Sequence, residues 1–190
     1  MSSPVLKVDL ALVHSPVCNK NRETIVSAVT NLDLHDMARA GRTFGIDNFF
    51  VVTPNLDQQI LVKEILAHWS TGHGGKVNPD RKEALSVIRL SDDLQGVYQA
   101  ATDKWGERPT VLATCARCQG DGVQSYEAVR EQIFAGQPVL LLFGTAWGLA
   151  PEVMQAVDGF LPPICGQMEY NHLSVRSAAS IVLDRLLGKR

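Results

Sequence analysis

Hydrophobic residues along this chain come in short unbroken runs. "VDLALVHS" (8–15), "NFFVVTP" (48–54), "TVLATCA" (110–116), "PVLLLFG" (138–144) and "GFLPPI" (159–164) are almost continuously apolar, and "ALSVIRL" (84–90) is a weaker run. A strand covered on both faces reads this way, because both sides of its pleat meet apolar neighbours. The runs predict buried parallel strands.

The stretches between them carry helical spacing. "NLDLHDMARAGRTFG" (31–45) opens on Asn31 as an N-cap and stops at Gly45. "LDQQILVKEILAHW" (56–69) places apolar residues at 60, 61, 65 and 66. "SDDLQGVYQAATDKW" (91–105) opens on Ser91 and two acids, which suit the positive end of a helix dipole. "GVQSYEAVREQIFAG" (122–136), "PEVMQAV" (151–157) and "LSVRSAASIVLDRLLG" (173–188) follow. "STGHGGKVNPD" (70–80) reads as an exposed loop. Alternating strands and helices predict an α/β fold, a mostly parallel sheet flanked by helices. In such folds ligands collect beyond the C-terminal ends of the strands.

Composition changes this picture little. A length of 190 residues fits one domain over 1–190, and 45% hydrophobic residues supply a full core. The formal net charge of -2 gives no global field for nucleic acid, so an RNA partner needs a local basic patch. The apolar start "VLKVDLALVHSPV" is interrupted by Lys7 and Asp9 and is too short to span a bilayer. A soluble, cytoplasmic protein is expected, with Cys18, Cys115, Cys118 and Cys165 as reduced thiols.

Most motif-like fragments fail on their own chemistry. "GHGGKV" (72–77) lacks the first glycine and the metal-binding hydroxyl of a phosphate loop, and follows a helix rather than a strand. Cys115-Ala-Arg-Cys118 has no second ligand pair for zinc, and "QGDG" turns the chain before a redox helix could begin. His68 and His73 are not spaced to share a helix face, so no metal site is expected. No G-x-S-x-G elbow is present. Arg39 and Arg42, three apart, read either as a solvated basic face or as contacts to phosphate or base.

The C-terminal third is richer. "PVLLLFGTAWGL" ends a strand at Gly144 and turns again at Gly148, and "FLPPICG" repeats the device at Gly166. Glycine permits close approach of backbone to a ligand. "NHLSVRSAAS" then enters a helix carrying the small residues Ser177, Ala178, Ala179 and Ser180.

Three segments together resemble the SPOUT superfamily of S-adenosylmethionine-dependent RNA methyltransferases: "NLDLHDMARAGRTFG", "LLFGTAWGL" and "LPPICGQMEYNHLSVRSAASIVL", in the family's order. The resemblance implies a C-terminal trefoil knot, a homodimer, and S-adenosylmethionine held by the knotted loops without metal. The implied cofactor residues are Thr114, Cys115, Leu142, Phe143, Gly144, Thr145, Gly148, Ile164, Gly166, Asn171, His172, Leu173 and Ser174. Backbone groups of Phe143, Gly144, Ile164 and Leu173 would read the adenine. Arg39 and Asn171 would be catalytic, and Arg39 with Arg42 would bind the RNA, a tRNA or rRNA methylated on a base nitrogen or ribose 2′-hydroxyl. Ala146 stands where many relatives carry Glu, and aligning Ser174-Val175 puts His172 at the family's Asn position, one residue past Asn171. A relative that binds cofactor or RNA without catalysis is the alternative.

Overall fold

The computed structural model describes residues 6–116 and 121–190. Strand β1 (Val8–Val13) leads into a two-residue-strand hairpin, β2 (Val17–Cys18) and β3 (Thr24–Ile25). Then come α1 (Asn31–Thr43), β4 (Phe49–Val52), α2 (Leu56–Ser70), α3 (His73–Val77), α4 (Pro79–Leu85), β5 (Ile88–Ser91) and α5 (Leu94–Trp105). The C-terminal part runs β6 (Thr110–Thr114), α6 (Tyr126–Phe134), β7 (Val139–Gly144), α7 (Pro151–Ala156), β8 (Gly159–Phe160) and α8 (Val175–Leu187).

Six strands form one parallel sheet in the order β5-β4-β1-β7-β6-β8. Successive side chains of a strand serve opposite faces. Leu10 and Leu12 of β1, with Leu141 and Phe143 of β7, pack beneath Leu34 and Met37 of α1, Ile133 of α6 and Leu183 of α8. Ala11 and Val13, with Leu140 and Leu142, pack beneath Val97 of α5 and Val153 of α7. Both faces are covered, which is why the strand runs are continuously apolar.

The element types follow the hydrophobic pattern, and the differences are local. Thr30 rather than Asn31 caps α1, its side chain accepting from the Asp33 N–H; Asp93 rather than Ser91 caps α5. Ala84 and Leu85 close α4, so the strand expected over 84–90 lies at Ile88–Ser91. Only Gly159 and Phe160 of the "GFLPPI" run pair with the sheet. The segment expected as an exposed loop over 70–80 contains α3 and the start of α4. Gly74 and Gly75 are buried there, and a Cβ on either would strike His68 or Trp69. Those glycines serve helix packing.

Candidate functional site

The C-terminal ends of β6 and β7 are laced side to side: Thr114 Oγ1 donates to the Leu142 carbonyl at 3.1 Å. Beyond β7 the chain turns sharply. The Gly148 N–H donates to the Thr145 carbonyl at 2.9 Å, with Ala146 and Gly148 at positive φ of 52° and 106°. The β2 strand braces this turn, since the Trp147 N–H donates to the Cys18 carbonyl (3.0 Å) and the Cys18 N–H to the Gly148 carbonyl (2.9 Å). A Cβ on Gly144 would lie 2.6 Å from the Leu149 nitrogen. Gly144 is therefore required by the turn itself.

A half-buried chain of hydroxyls runs from this turn to β1. Thr145 Oγ1 donates to the Val13 carbonyl at 3.0 Å and also contacts Ser27 Oγ, which lies 3.1 Å from His14 Nδ1. With the Thr145 proton on Val13, Ser27 donates to Thr145 and His14 donates from Nδ1 to Ser27. That tautomer leaves Nε2 as the lone-pair nitrogen, buried and without a partner among the described residues. Burial pushes the His14 pKa down from 6.5 to about 4, against the opposing pull of the Asp33 charge. The sequence reading passed over His14. Its signal was position: a polar residue at the C-terminal end of a buried strand, where this fold class gathers ligands.

After β8 the chain crosses an exposed stretch before α8. Among the described residues, no backbone–backbone hydrogen bond involves residues 163–173. One side chain anchors the stretch: Asn171 Nδ2 donates to the Ala116 carbonyl beyond β6, at 2.9 Å. Tyr170 and His172 meet edge to face with centroids 5.4 Å apart. Gly166 has open space around it, with nothing within 4 Å of an added Cβ. Trp147, Met168, Tyr170 and Leu173 are 71%, 78%, 77% and 47% exposed. These exposed apolar side chains lie on the loops that follow β7 and β8.

The expected cofactor residues thus divide by role. Leu142 and Phe143 bury their side chains, leaving only backbone for a ligand. The Thr114 and Thr145 hydroxyls hold the scaffold. Gly144 and Gly148 shape the turn, while Ile164, Gly166, Asn171, His172, Leu173 and Ser174 lie on the open stretch or at its end. Cys115 is disulfide-bonded, correcting the expectation of four reduced thiols; Cys18 and Cys165 are free, and Cys118 lies outside the described residues. An open loop whose N–H and C=O groups have no backbone partner among the described residues, and which carries exposed apolar side chains, fits a ligand with a polar-edged purine and a flexible tail.

Helix α1 carries the basic residues. Arg42 is occupied: its guanidinium donates to Glu83 Oε1 at 2.8 and 3.0 Å and lies 4.0 Å from Asp47. Arg39 is exposed, and its guanidinium has no hydrogen bond or ion pair among the described residues. It lines a groove of about 510 Å³ between α1 and α8, together with Ser174, Arg176 and Ser177. Arg39 and the N-cap of α8 therefore share one surface. Arg176, which the sequence reading missed, fixes the two helices by pairing with Asp33 (3.3 Å) and Asp36 (3.4 Å). No helix among the described residues is long and apolar enough to cross a membrane, and none of their side-chain clusters has the makings of a metal site.

Comparison with known proteins gives the family and the fold. A protein family described as "SAM-dependent RNA methyltransferase" matches residues 7–188. A tRNA (guanine-N(1)-)-methyltransferase from Oleidesulfovibrio alaskensis is 46% identical over 178 residues, covering 94% of this chain but 41% of that protein. The chain thus spans well under half the length of that relative. An uncharacterized protein from Aquifex aeolicus is 36% identical over 96% of this chain and 89% of its own length. The solved structure of "a probable methylase family protein" from Haemophilus influenzae shares the fold, with a TM-score of 0.62 at 16% identity, over 96% of this chain and 66% of that one.

Proposed function

The chain belongs to the family of S-adenosylmethionine-dependent RNA methyltransferases, and from that premise we propose that it methylates a base nitrogen or ribose 2′-hydroxyl of a tRNA or rRNA nucleotide. The observation that carries this reading is the open stretch 163–173, whose backbone groups have no backbone partner among the described residues and which Asn171 anchors beyond the end of β6. Arg39, a cation with no ion-pair partner among the described residues, lines the same groove as Ser174.

The bound cofactor supplies an already activated methyl group on its sulfonium. The chain's own residues position the reactants and exclude water. Backbone groups of Gly144, Ile164 and Leu173 take the adenine edge, Trp147 and Leu173 cover apolar surface, and Asn171 holds the two loops in register. Arg39 presents its planar fork to a phosphate beside the acceptor nucleotide, a geometry that a point charge does not reproduce. Arg42 is less available, because Glu83 already holds it.

Two further parts belong to the same proposal. The exposed Trp147, Met168, Tyr170 and Leu173 would be covered in a two-fold homodimer, and the C-terminal chain would pass through a trefoil. The setting is the cytoplasm, where tRNA and rRNA are modified. Guanine N1 of tRNA is the first acceptor to assay, since it is the one named for the Oleidesulfovibrio relative.

The test has two arms. Purified protein, S-adenosylmethionine carrying a labelled methyl group and unmodified tRNA or rRNA should yield labelled nucleosides. Mass spectrometry of RNA from a strain lacking the protein should show one methylated nucleoside missing. Tight cofactor binding with no methyl transfer to any RNA would replace the enzyme by a binding protein.

A further inference from the structure

Arg39 lines two grooves. Across from the α1–α8 groove, α1, α2 and α4 enclose another of about 600 Å³. It lies outside the loops assigned to the cofactor. Trp69 is its aromatic centre: the Arg81 guanidinium stacks over the ring at 4.9 Å, and His35 and His68 meet it edge-on at 5.5 and 5.1 Å. Leu32 and Leu61 open onto the same groove, 60% and 38% exposed. His35 Nδ1 is buried with no partner among the described residues.

We propose that this groove takes one or two unstacked bases of the RNA, flanking the nucleotide held at Arg39. The inference rests on the RNA-methyltransferase reading given above. Three observations favour bases over a run of phosphates. First, the carboxylates Asp36 and Glu64 lie on the same walls as Arg39 and Arg81, with Asp36 also meeting Arg176 at 3.4 Å, so the groove is not a purely cationic track. Those carboxylates repel phosphate but accept from exocyclic amino groups and ring N–H groups. Second, flat and apolar surfaces adjoin one another: the Arg81–Trp69 stack, Leu32 and Leu61. Single-stranded RNA is bound by such stacking on aromatic rings and guanidinium planes. Third, the groove shares Arg39 with the candidate site, so a strand lying at Arg39 reaches it without a break.

His35 refines the expectation. Burial, Arg81 and Arg39 lower its pKa, while Asp36 opposes them. Its ring is neutral at physiological pH and offers one donor and one acceptor. That suits reading a base edge better than holding an anion.

The test uses the full chain labelled with 5-fluorotryptophan. The three indole resonances are assigned with single Trp→Phe variants. Short single-stranded oligoribonucleotides should shift the Trp69 resonance, and an abasic ribose-phosphate oligomer of the same length should not. A Leu32→Ser/Leu61→Ser double variant, altered at exposed positions, should bind the oligoribonucleotide roughly tenfold more weakly. It should keep its calorimetric affinity for S-adenosylhomocysteine.

Several outcomes overturn the proposal. If RNA is retained on filters or methylated while Trp69 stays silent, the groove is not a base site and the methyltransferase reading survives. An equal shift from the abasic oligomer would mean phosphate contact instead. Loss of self-association in the double variant would make the groove a contact between two copies. Failure of every RNA to bind or accept methyl would remove the underlying reading first.

Discussion

Asn171 reaches across from the segment before α8 and donates its amide proton to the Ala116 carbonyl at 2.9 Å. The segment before α8 is thereby tied to the chain just beyond β6. The bond is partly exposed, so its net worth is about 0.5–1.5 kcal/mol. Asn171→Ala should weaken S-adenosylhomocysteine binding by roughly 3–10-fold in calorimetry. Asn171→Asp should weaken it further, because an acceptor would then face the carbonyl oxygen. Parent-like affinity in both variants would dismiss the tie.

Arg39 and Arg42 should separate cleanly. Arg39 has no partner within the described fold, so Arg39→Ala leaves stability and cofactor affinity near parent values. Methyl transfer should fall by about tenfold or more, on the scale of one lost transition-state contact of about 1.4 kcal/mol. Arg39→Lys should recover part of it. Arg42→Ala removes a surface ion pair with Glu83 and should cost under about 1 kcal/mol of stability, with activity little changed. Single-turnover rates and denaturant midpoints decide this, and equal rate losses from both variants would contradict the assignment.

Gly144 and Gly166 make a contrasting pair. A side chain at Gly144 meets the Leu149 nitrogen at 2.6 Å, so Gly144→Ala should lower stability by about 1–3 kcal/mol, whatever the ligand does. Gly166→Val meets nothing within 4 Å in the chain. It should leave the melting temperature unchanged and reduce cofactor affinity. Should Gly166→Val bind as the parent does, the open space there is not a ligand's.

His14 gives the fold a pH dependence of known sign. The unfolded imidazole takes up a proton as pH falls through about 6.5, while the folded ring stays neutral down to about 4. Stability contributed by this group is therefore level above pH 6.5, is lost between 6.5 and 4, and is level again below. The full loss is on the order of 3 kcal/mol. His14→Asn retains a polar group toward Ser27 and cannot titrate. Its denaturant-derived stability should show a shallower slope between pH 6.5 and 4 than the parent's; an identical slope would assign the titration elsewhere.

The continuous apolar runs made the sheet readable, since burial on both faces leaves no other pattern. Helix existence was equally plain. Helix starts were less so: Asn31 and Ser91 are plausible caps, but Thr30 and Asp93 stand where the side chain reaches the third N–H. Gly74 and Gly75 looked like loop residues because only the tertiary approach of Trp69 and His68 explains them. The turn after β7 was legible from the spacing of Gly144 and Gly148, while Arg39 was singled out by resemblance. The division of labour was not. That Arg42 is held by Glu83, that Arg176 ties α8 to Asp33, and that His14 joins Thr145 through Ser27 are contacts between residues far apart in the chain. The hairpin β2–β3, two residues to a strand, has too little pattern to announce itself.

The place of β7 in the sheet bears on how the molecule comes to exist. It lies between β1 and β6, so Val8 waits for Val139 as its neighbour. During synthesis the first three large strands can associate once Ser91 has emerged, but one edge of β1 stays open until β7 follows at Val139. An open apolar edge is a template for pairing with other chains, and contacts this distant in sequence form slowly. Nascent chains stalled before residue 139 should therefore need chaperone cover, and fragments lacking β7 should collect in the insoluble fraction rather than fold as half-domains.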